Sequence, residues 1–351
     1  MKKNDVIIAV VIIAALIAGT AAIILNDTTG KNGSGLSEEY DYDLSAYKKS
    51  SEQMLYDQIP QKLITDLKQS KVIIHNGKDK LFIGGDSKIL IYNISVNSSA
   101  DGFNSDLAKS IELSSMPTSL AVDGEDKIYA GLEDHIGVFD AEGKQIDVWE
   151  SLGSKALITG IAVHKDNVFA ADAGNRIVIR YDKDGKIINE IGRKNEKRNI
   201  EGFVIPSPYF DLAVASDGLL RVVNSGMHRI EAYTFDGDLE FWWGKPGVDL
   251  DEFCGCCNPV NFAILPDKSF VTVEKGLTRI KIFDETGKFS GMVASTEMLT
   301  KGQAAAPCKF PEDCQKGAFD LAVDNKGNIY MLNTIENVVR IFVPKSGEEN
   351  V

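Results

Sequence analysis

Residues 320–331 read Asp-Leu-Ala-Val-Asp-Asn-Lys-Gly-Asn-Ile-Tyr-Met: a short apolar strand, a polar turn containing Gly327, and a second apolar strand. The same phrase recurs upstream. Aligning the first strand gives Ser119-Leu120-Ala121-Val122, Gly160-Ile161-Ala162-Val163, Asp211-Leu212-Ala213-Val214, Asn261-Phe262-Ala263-Ile264 and Asp320-Leu321-Ala322-Val323, with Val72-Ile73-Ile74 as a weaker sixth copy. The last five copies lie 41 to 59 residues apart. Each is followed by a second strand such as Lys127-Ile128-Tyr129-Ala130 and a third such as Arg279-Ile280-Lys281-Ile282-Phe283. In most copies a Gly turn and a fourth strand complete the unit, as in Gly185 followed by Lys186 to Ile191.

Four short strands per repeat, a period of roughly 40 to 50 residues and no helical periodicity predict an all-β fold, a six-bladed β-propeller. The sixth copy ends its third strand near Phe342 and Val343, leaving only Pro344 to Val351. A fourth strand for that blade is expected from Met54 to Leu67, which contains Leu55-Tyr56 and Lys62-Leu63-Ile64-Thr65. Joining the two ends of the chain in this way removes an exposed sheet edge.

Asn167-Val168-Phe169-Ala170-Ala171-Asp172 with Asn175-Arg176-Ile177, and His228-Arg229-Ile230 through Tyr233 to Gly237, resemble the NHL repeat. The resemblance extends from about Val72 to Gly347. It implies a six-bladed NHL-type propeller, a family that includes scaffolds, sensor domains, nucleic-acid binders and a few metal-dependent enzymes. The basic column of the repeat reads Lys88, His135, Arg176, Arg229, Arg279 and Val338, and pairing between blades is expected of it.

Upstream of the repeats, Val6 to Leu25 is a charge-free run of 20 residues, long enough to cross a bilayer. Lys2 and Lys3 precede it and Asp27 follows. The expected layout is a transmembrane signal-anchor over 1–25, a flexible tether over 26–50 and the propeller over 51–351. The positive-inside rule then leaves the N-terminus cytoplasmic and the propeller extracytoplasmic, in a periplasm or at a cell surface. The net charge of −13 and the absence of a basic face argue against nucleic acid.

Five cysteines fall in two clusters: Cys254, Cys256 and Cys257 in the connection entering the fifth blade, Cys308 and Cys314 in the one entering the sixth. On a propeller both connections emerge on one face of adjacent blades. Three chemistries fit. Disulfides suit an oxidising compartment and leave one thiol over; thiolates suit copper or an iron–sulfur centre, although Cys-x-Cys-Cys is not the common ferredoxin spacing; and a vicinal Cys256 to Cys257 bond suits thiol exchange. Gly255-Cys256-Cys257-Asn258-Pro259, with Glu274-Lys275-Gly276 after the next strand, resembles a variant of NHL proteins found as membrane-anchored bacterial products, some alongside electron-transfer components.

The connections into blades four, five and six, roughly 193–209, 245–259 and 295–317, are much longer than that into blade three, and long loops tend to be functional. Asp211, Asn261 and Asp320 begin the inner strands of three neighbouring blades and are expected at the channel mouth, holding Ca²⁺ or capping the channel with water. His228, Glu274 and Lys275 in adjacent turns, and Arg193, Lys194, Lys197 and Arg198 as a basic patch, are further candidates on this face, the patch for an acidic partner. Phe241-Trp242-Trp243 reads as half-buried outer strand. Enzyme motifs are absent: there is no Gly-x-Ser-x-Gly, His-Glu-x-x-His or phosphate loop, and His75, His135, His164 and His228 occupy different columns rather than a metal set of the kind used by the amidating lyase of NHL architecture. The expectation is a membrane-anchored scaffold that binds a protein or small ligand through the loop-rich face of blades four to six. Its alternatives are an electron-transfer component with a metal or redox centre at the cysteines and a metal-dependent lyase or hydrolase at the channel mouth.

Overall fold

The computed structural model describes residues 53–96, 102–300 and 317–345. The apolar run, the tether, Cys308 and Cys314 lie outside them. Among the described residues no helix is long and apolar enough to cross a membrane.

Strand β1 (Tyr56–Ile64) precedes the first complete sheet, which runs β2 (Ser70–His75), β3 (Lys80–Gly85), β4 (Lys88–Val96), β5 (Phe103–Glu112). The second is β6 (Ser119–Val122), β7 (Ile128–Leu132), β8 (His135–Phe139), β9 (Gln145–Val148). The third is β10 (Ile158–His164), β11 (Asn167–Asp172), β12 (Ile177–Asp182), β13 (Ile187–Ile191). The fourth is β14 (Leu212–Val214), β15 (Leu220–Asn224), β16 (Arg229–Tyr233), β17 (Leu239–Trp243). The fifth is β18 (Asn261–Ile264), β19 (Phe270–Glu274), β20 (Arg279–Phe283), β21 (Phe289–Ala294). The sixth holds β22 (Asp320–Val323), β23 (Ile329–Asn333) and β24 (Val338–Pro344), and β1 is its outer strand, antiparallel to β24 with Tyr56 opposite Pro344 and Ile64 opposite Val338. Four strands in each of six sheets make the fold a six-bladed β-propeller.

The core is six hydrophobic clusters, one between each pair of neighbouring blades. Each sheet is therefore covered on both faces, and β7, β15, β19 and β23 are buried at every position rather than alternating. β1 joins the cluster between the sixth and first blades through Ile59 and Leu63.

Polar side chains tie the inner strands to one another. Thr159 Oγ1 donates to the Phe210 carbonyl, Asp211 Oδ2 accepts from the Phe262 N–H, Asn261 Nδ2 donates to the Phe319 carbonyl, and Asp320 Oδ2 accepts from the Ile73 N–H. Each link runs from one blade to the next around the channel. The acidic surplus has a local cause as well: Asp123, Asp182, Asp284 and Asp324 fold back to accept backbone N–H groups two and four residues ahead in the turns.

Among the described residues, the partners found for the basic column lie in its own blade or in the connection entering it. Lys88 meets Glu112 of its own sheet, His135 meets Asp134, and Arg229 bonds Glu231 on its own strand and Glu201 in the connection entering its blade. Position 1 of the third strand sits beside that connection, so the nearest acids belong to the same blade.

Candidate functional site

The connection from β17 to β18 carries the cysteine triplet, and the structure fixes it at successive points. Phe253 is wholly buried against Trp243 and Phe283, ring centroids 6.2 and 5.3 Å away. The Cys254 N–H donates to Glu274 Oε1 at 2.8 Å, and the Cys254 carbonyl accepts from Asn258 Nδ2 at 2.6 Å. Gly255 adopts a left-handed φ of 82°, where any side chain is strained, and its carbonyl accepts from His228 Nε2 at 2.7 Å. Asn258 also pairs with the Lys275 backbone, accepting its N–H at 2.9 Å and donating to its carbonyl at 3.0 Å.

Between these anchors lie Cys256, which is exposed, and Cys257, which is buried; their sulfurs are 3.1 Å apart. Cys257 Sγ faces Ser207 Oγ at 3.4 Å, and Ser207 Oγ accepts from Lys275 Nζ at 3.1 Å. Lys275 Nζ also stands 4.9 Å over the Tyr209 ring. Burial, reinforced by Cys257, raises the Tyr209 phenol above its ordinary value.

Beneath the loop is a buried charge cluster. Glu274 accepts from Arg279 Nε at 2.6 Å and Nη2 at 3.0 Å and meets Lys281 Nζ at 3.1 Å, and all three side chains are sealed from solvent. Lys281 also donates to the Glu252 carbonyl and lies against the Phe253 ring at 4.6 Å; Arg279 reaches the Val248 carbonyl at 3.0 Å. Burial brings the Lys281 ammonium down to about 8 against the pull of Glu274, while Arg279 and Lys281 hold Glu274 below the usual carboxylate range despite its own burial.

Several expected site residues therefore come together: His228, Glu274 and Lys275 converge on the loop of Cys254, Cys256 and Cys257. Their roles differ from expectation. Glu274 and Lys275 are buried, so they brace the loop instead of presenting charge on the face. The basic patch is largely satisfied within the fold: Arg193 bonds Glu190, Lys194 lies 3.9 Å from Glu196 and Arg198 bonds Asp238, with Lys197 exposed alongside. Of the aromatic run only Trp243 enters the core; Trp242 and Phe241 are exposed and lie over the guanidinium groups of Arg229 and Arg221.

The central channel forms a cavity of about 470 Å³ whose lining includes Asp211, Asn261, Asp320, Tyr209, Lys71 and His75. Asp211 is pushed up to about 7 by burial, with Asp320 adding to the effect, and Asp320 to about 6 by burial. Both carboxylates already accept two backbone N–H groups, one from their own strand and one from the next blade. Asp211, Asn261 and Asp320 thus line the channel together and serve as inter-blade links. His75 lies at the other end, stacked on Tyr330 at 5.5 Å and held below its usual value by burial.

Sequence reasoning missed Ser207, Tyr209, Asn258, Arg279 and Lys281 as parts of the cysteine site. Asn258 stands in the Gly255 to Pro259 segment, Arg279 in the basic column and Lys281 between Ile280 and Ile282, but none of these positions by itself points to the underside of the cysteine loop.

Fold and site define a six-bladed propeller with one braced, cysteine-bearing loop face. No protein-family model matches the chain, and no curated protein matches it. Solved structures share the fold: the WD40 β-propeller domain of Doa1 (13% identity, TM-score 0.53, covering 83% of this chain and 97% of that one) and a streptogramin B lyase (12%, 0.54, 83% and 98%). A structural genomics protein of unknown function from Bacteroides thetaiotaomicron VPI-5482 is similar at 14% identity and a TM-score of 0.55, covering 84% of this chain and 74% of that one.

Proposed function

We propose that this chain is a membrane-anchored, extracytoplasmic propeller of the NHL type that acts as a binding scaffold for a protein partner through the loop-bearing face of its fourth to sixth blades. The observation that carries the reading is the bracing of the loop entering the fifth blade. A buried carboxylate, two buried cations, a buried asparagine and a histidine hold it from beneath and from both sides, while Cys256 and the acidic stretch at Asp249 and Asp251 stay exposed. A loop held this firmly binds with little ordering cost. The charge-free run Val6 to Leu25 behind Lys2 and Lys3 supports the anchor and its orientation, and the repeat pattern around Asp172, Arg176 and Arg229 supports the NHL type.

The test is retention of a partner by tagged full-length protein in host membranes. Charge reversal on the loop face, Asp249→Lys with Asp251→Lys, is expected to release the partner, and reversal at Glu285 in the turn on the opposite face is expected to retain it. Equal loss from both faces overturns the reading.

A further inference from the structure

We propose that Cys256 and Cys257 form a dithiol site that reduces an external disulfide, Cys256 making first contact and Cys257 resolving the intermediate. This goes beyond the use of the same face for binding.

Three observations meet at the pair. The sulfurs are in contact at 3.1 Å, with one exposed and the other buried, so an incoming disulfide can reach only Cys256. The backbone is pinned at Cys254, Gly255 and Asn258 on either side, which holds the two sulfurs side by side on the face. And Cys257 is served by a directed donor: Ser207 Oγ, itself accepting from the buried Lys275 ammonium, sits 3.4 Å from its sulfur. The hydroxyl holds the Cys257 sulfur in place beside Cys256 for the second attack.

The chemistry balances without a cofactor. The Cys256 thiolate, its proton released to water, attacks one sulfur of the external disulfide; that S–S bond breaks, and the departing thiolate takes up a proton. The Cys257 thiolate, likewise deprotonated, then attacks Cys256 Sγ, breaks the mixed disulfide and expels the second thiolate, which is protonated in turn. Two protein thiols lose two electrons to become one disulfide, and the external disulfide gains them to become two thiols. Ser207 and Lys275 act as positioning residues for the second step.

The experiment uses the full chain in detergent, reduced, desalted without oxygen, and treated with glutathione disulfide in one arm and an oxidised two-cysteine peptide in the other. Peptide mass mapping follows the segment containing both cysteines. The wild type is expected to lose two hydrogens from this segment, reversibly. Cys257→Ser is expected to stop at one adduct on Cys256, and Cys256→Ser to give neither product. Ser207→Ala should form the adduct at the normal rate but resolve it about tenfold more slowly, a kinetic separation that a purely structural role would not produce. Faster reaction with glutathione disulfide identifies a low-molecular-weight source of oxidant, and faster reaction with the peptide a protein source. The proposal is overturned if neither arm oxidises the pair, if Cys257→Ser accumulates no adduct at Cys256, or if the oxidised product joins a different pair of cysteines.

Discussion

Replacing Glu274 by Gln keeps the volume and a carbonyl acceptor but removes the carboxylate that Arg279 and Lys281 share. In the native protein one negative charge faces two positive ones with almost no water present, and the carboxylate also accepts the Cys254 N–H. The amide can accept at one atom only and turns its NH₂ toward cationic donors. Breaking a buried pair in this way costs about 3 to 5 kcal/mol. Lys281, already down to about 8, then loses its proton near neutral pH, which keeps the expected loss near the lower end, about 3 kcal/mol. For a domain of this size that corresponds to a fall in Tm of roughly 5 °C. Circular dichroism melting of the purified protein measures it. The double variant Glu274→Gln with Lys281→Met replaces the uncompensated cation by a side chain suited to its place against Phe253 and Phe283, and more than half of the loss should return. A single-variant loss below about 1 kcal/mol, or no recovery in the double variant, refutes the assignment of the cluster as the support of the loop.

Three further outcomes are expected. Ile59→Ala on β1 should destabilise the whole ring by about 2 to 4 kcal/mol, whereas Ile64→Ala, at an exposed position of the same strand, should cost under about 0.5 kcal/mol; urea unfolding separates them, and equal effects would deny β1 a part in the core. Asp211 has a folded pKa raised to about 7, so between about pH 4 and 7 the folded state binds more protons than the unfolded chain and stability falls as pH rises. Asp211→Asn should therefore look less damaging at pH 8 than at pH 5, by on the order of 2 kcal/mol in urea unfolding, and an effect that does not change with pH would show the carboxyl to be ordinary. Asn258→Ala leaves the Lys275 N–H and the Cys254 carbonyl without their partner, so it should cost about 2 kcal/mol and speed alkylation of Cys257 about tenfold; unchanged Cys257 reactivity measured by mass spectrometry would contradict the bracing.

The blades were legible because each inner strand carries an apolar triplet at a recurring interval, and packing between neighbouring blades keeps those triplets apolar in every copy. The central core residues, such as Leu120, Ile161, Leu212, Phe262 and Leu321, follow from that repetition. The interior of the cysteine site was harder to read. Lys281 alternates with Ile280 and Ile282 as a solvent-facing lysine would, yet the connection into its blade folds over it and leaves it fully buried. Arg198 reads as part of a basic patch because its acid, Asp238, lies 40 residues away and meets it only in the fold, whereas Arg193 bonds Glu190 three residues before it. Trp242 and Phe241 resemble core residues in composition, but an outermost strand has no further sheet beyond it, and their rings cover arginines instead.

The central claim is that the loop-bearing face is where this propeller meets its partner. Site-specific photo-crosslinking in the native host tests it most directly, with the reactive side chain placed in turn at Asp249, in the connection entering the fifth blade, and at Glu285, in the turn on the opposite face. The account predicts one discrete crosslinked species from position 249, lost on Asp251→Lys, and none from position 285. A crosslink of equal yield from position 285, or none from position 249 while the partner still co-purifies, would contradict it.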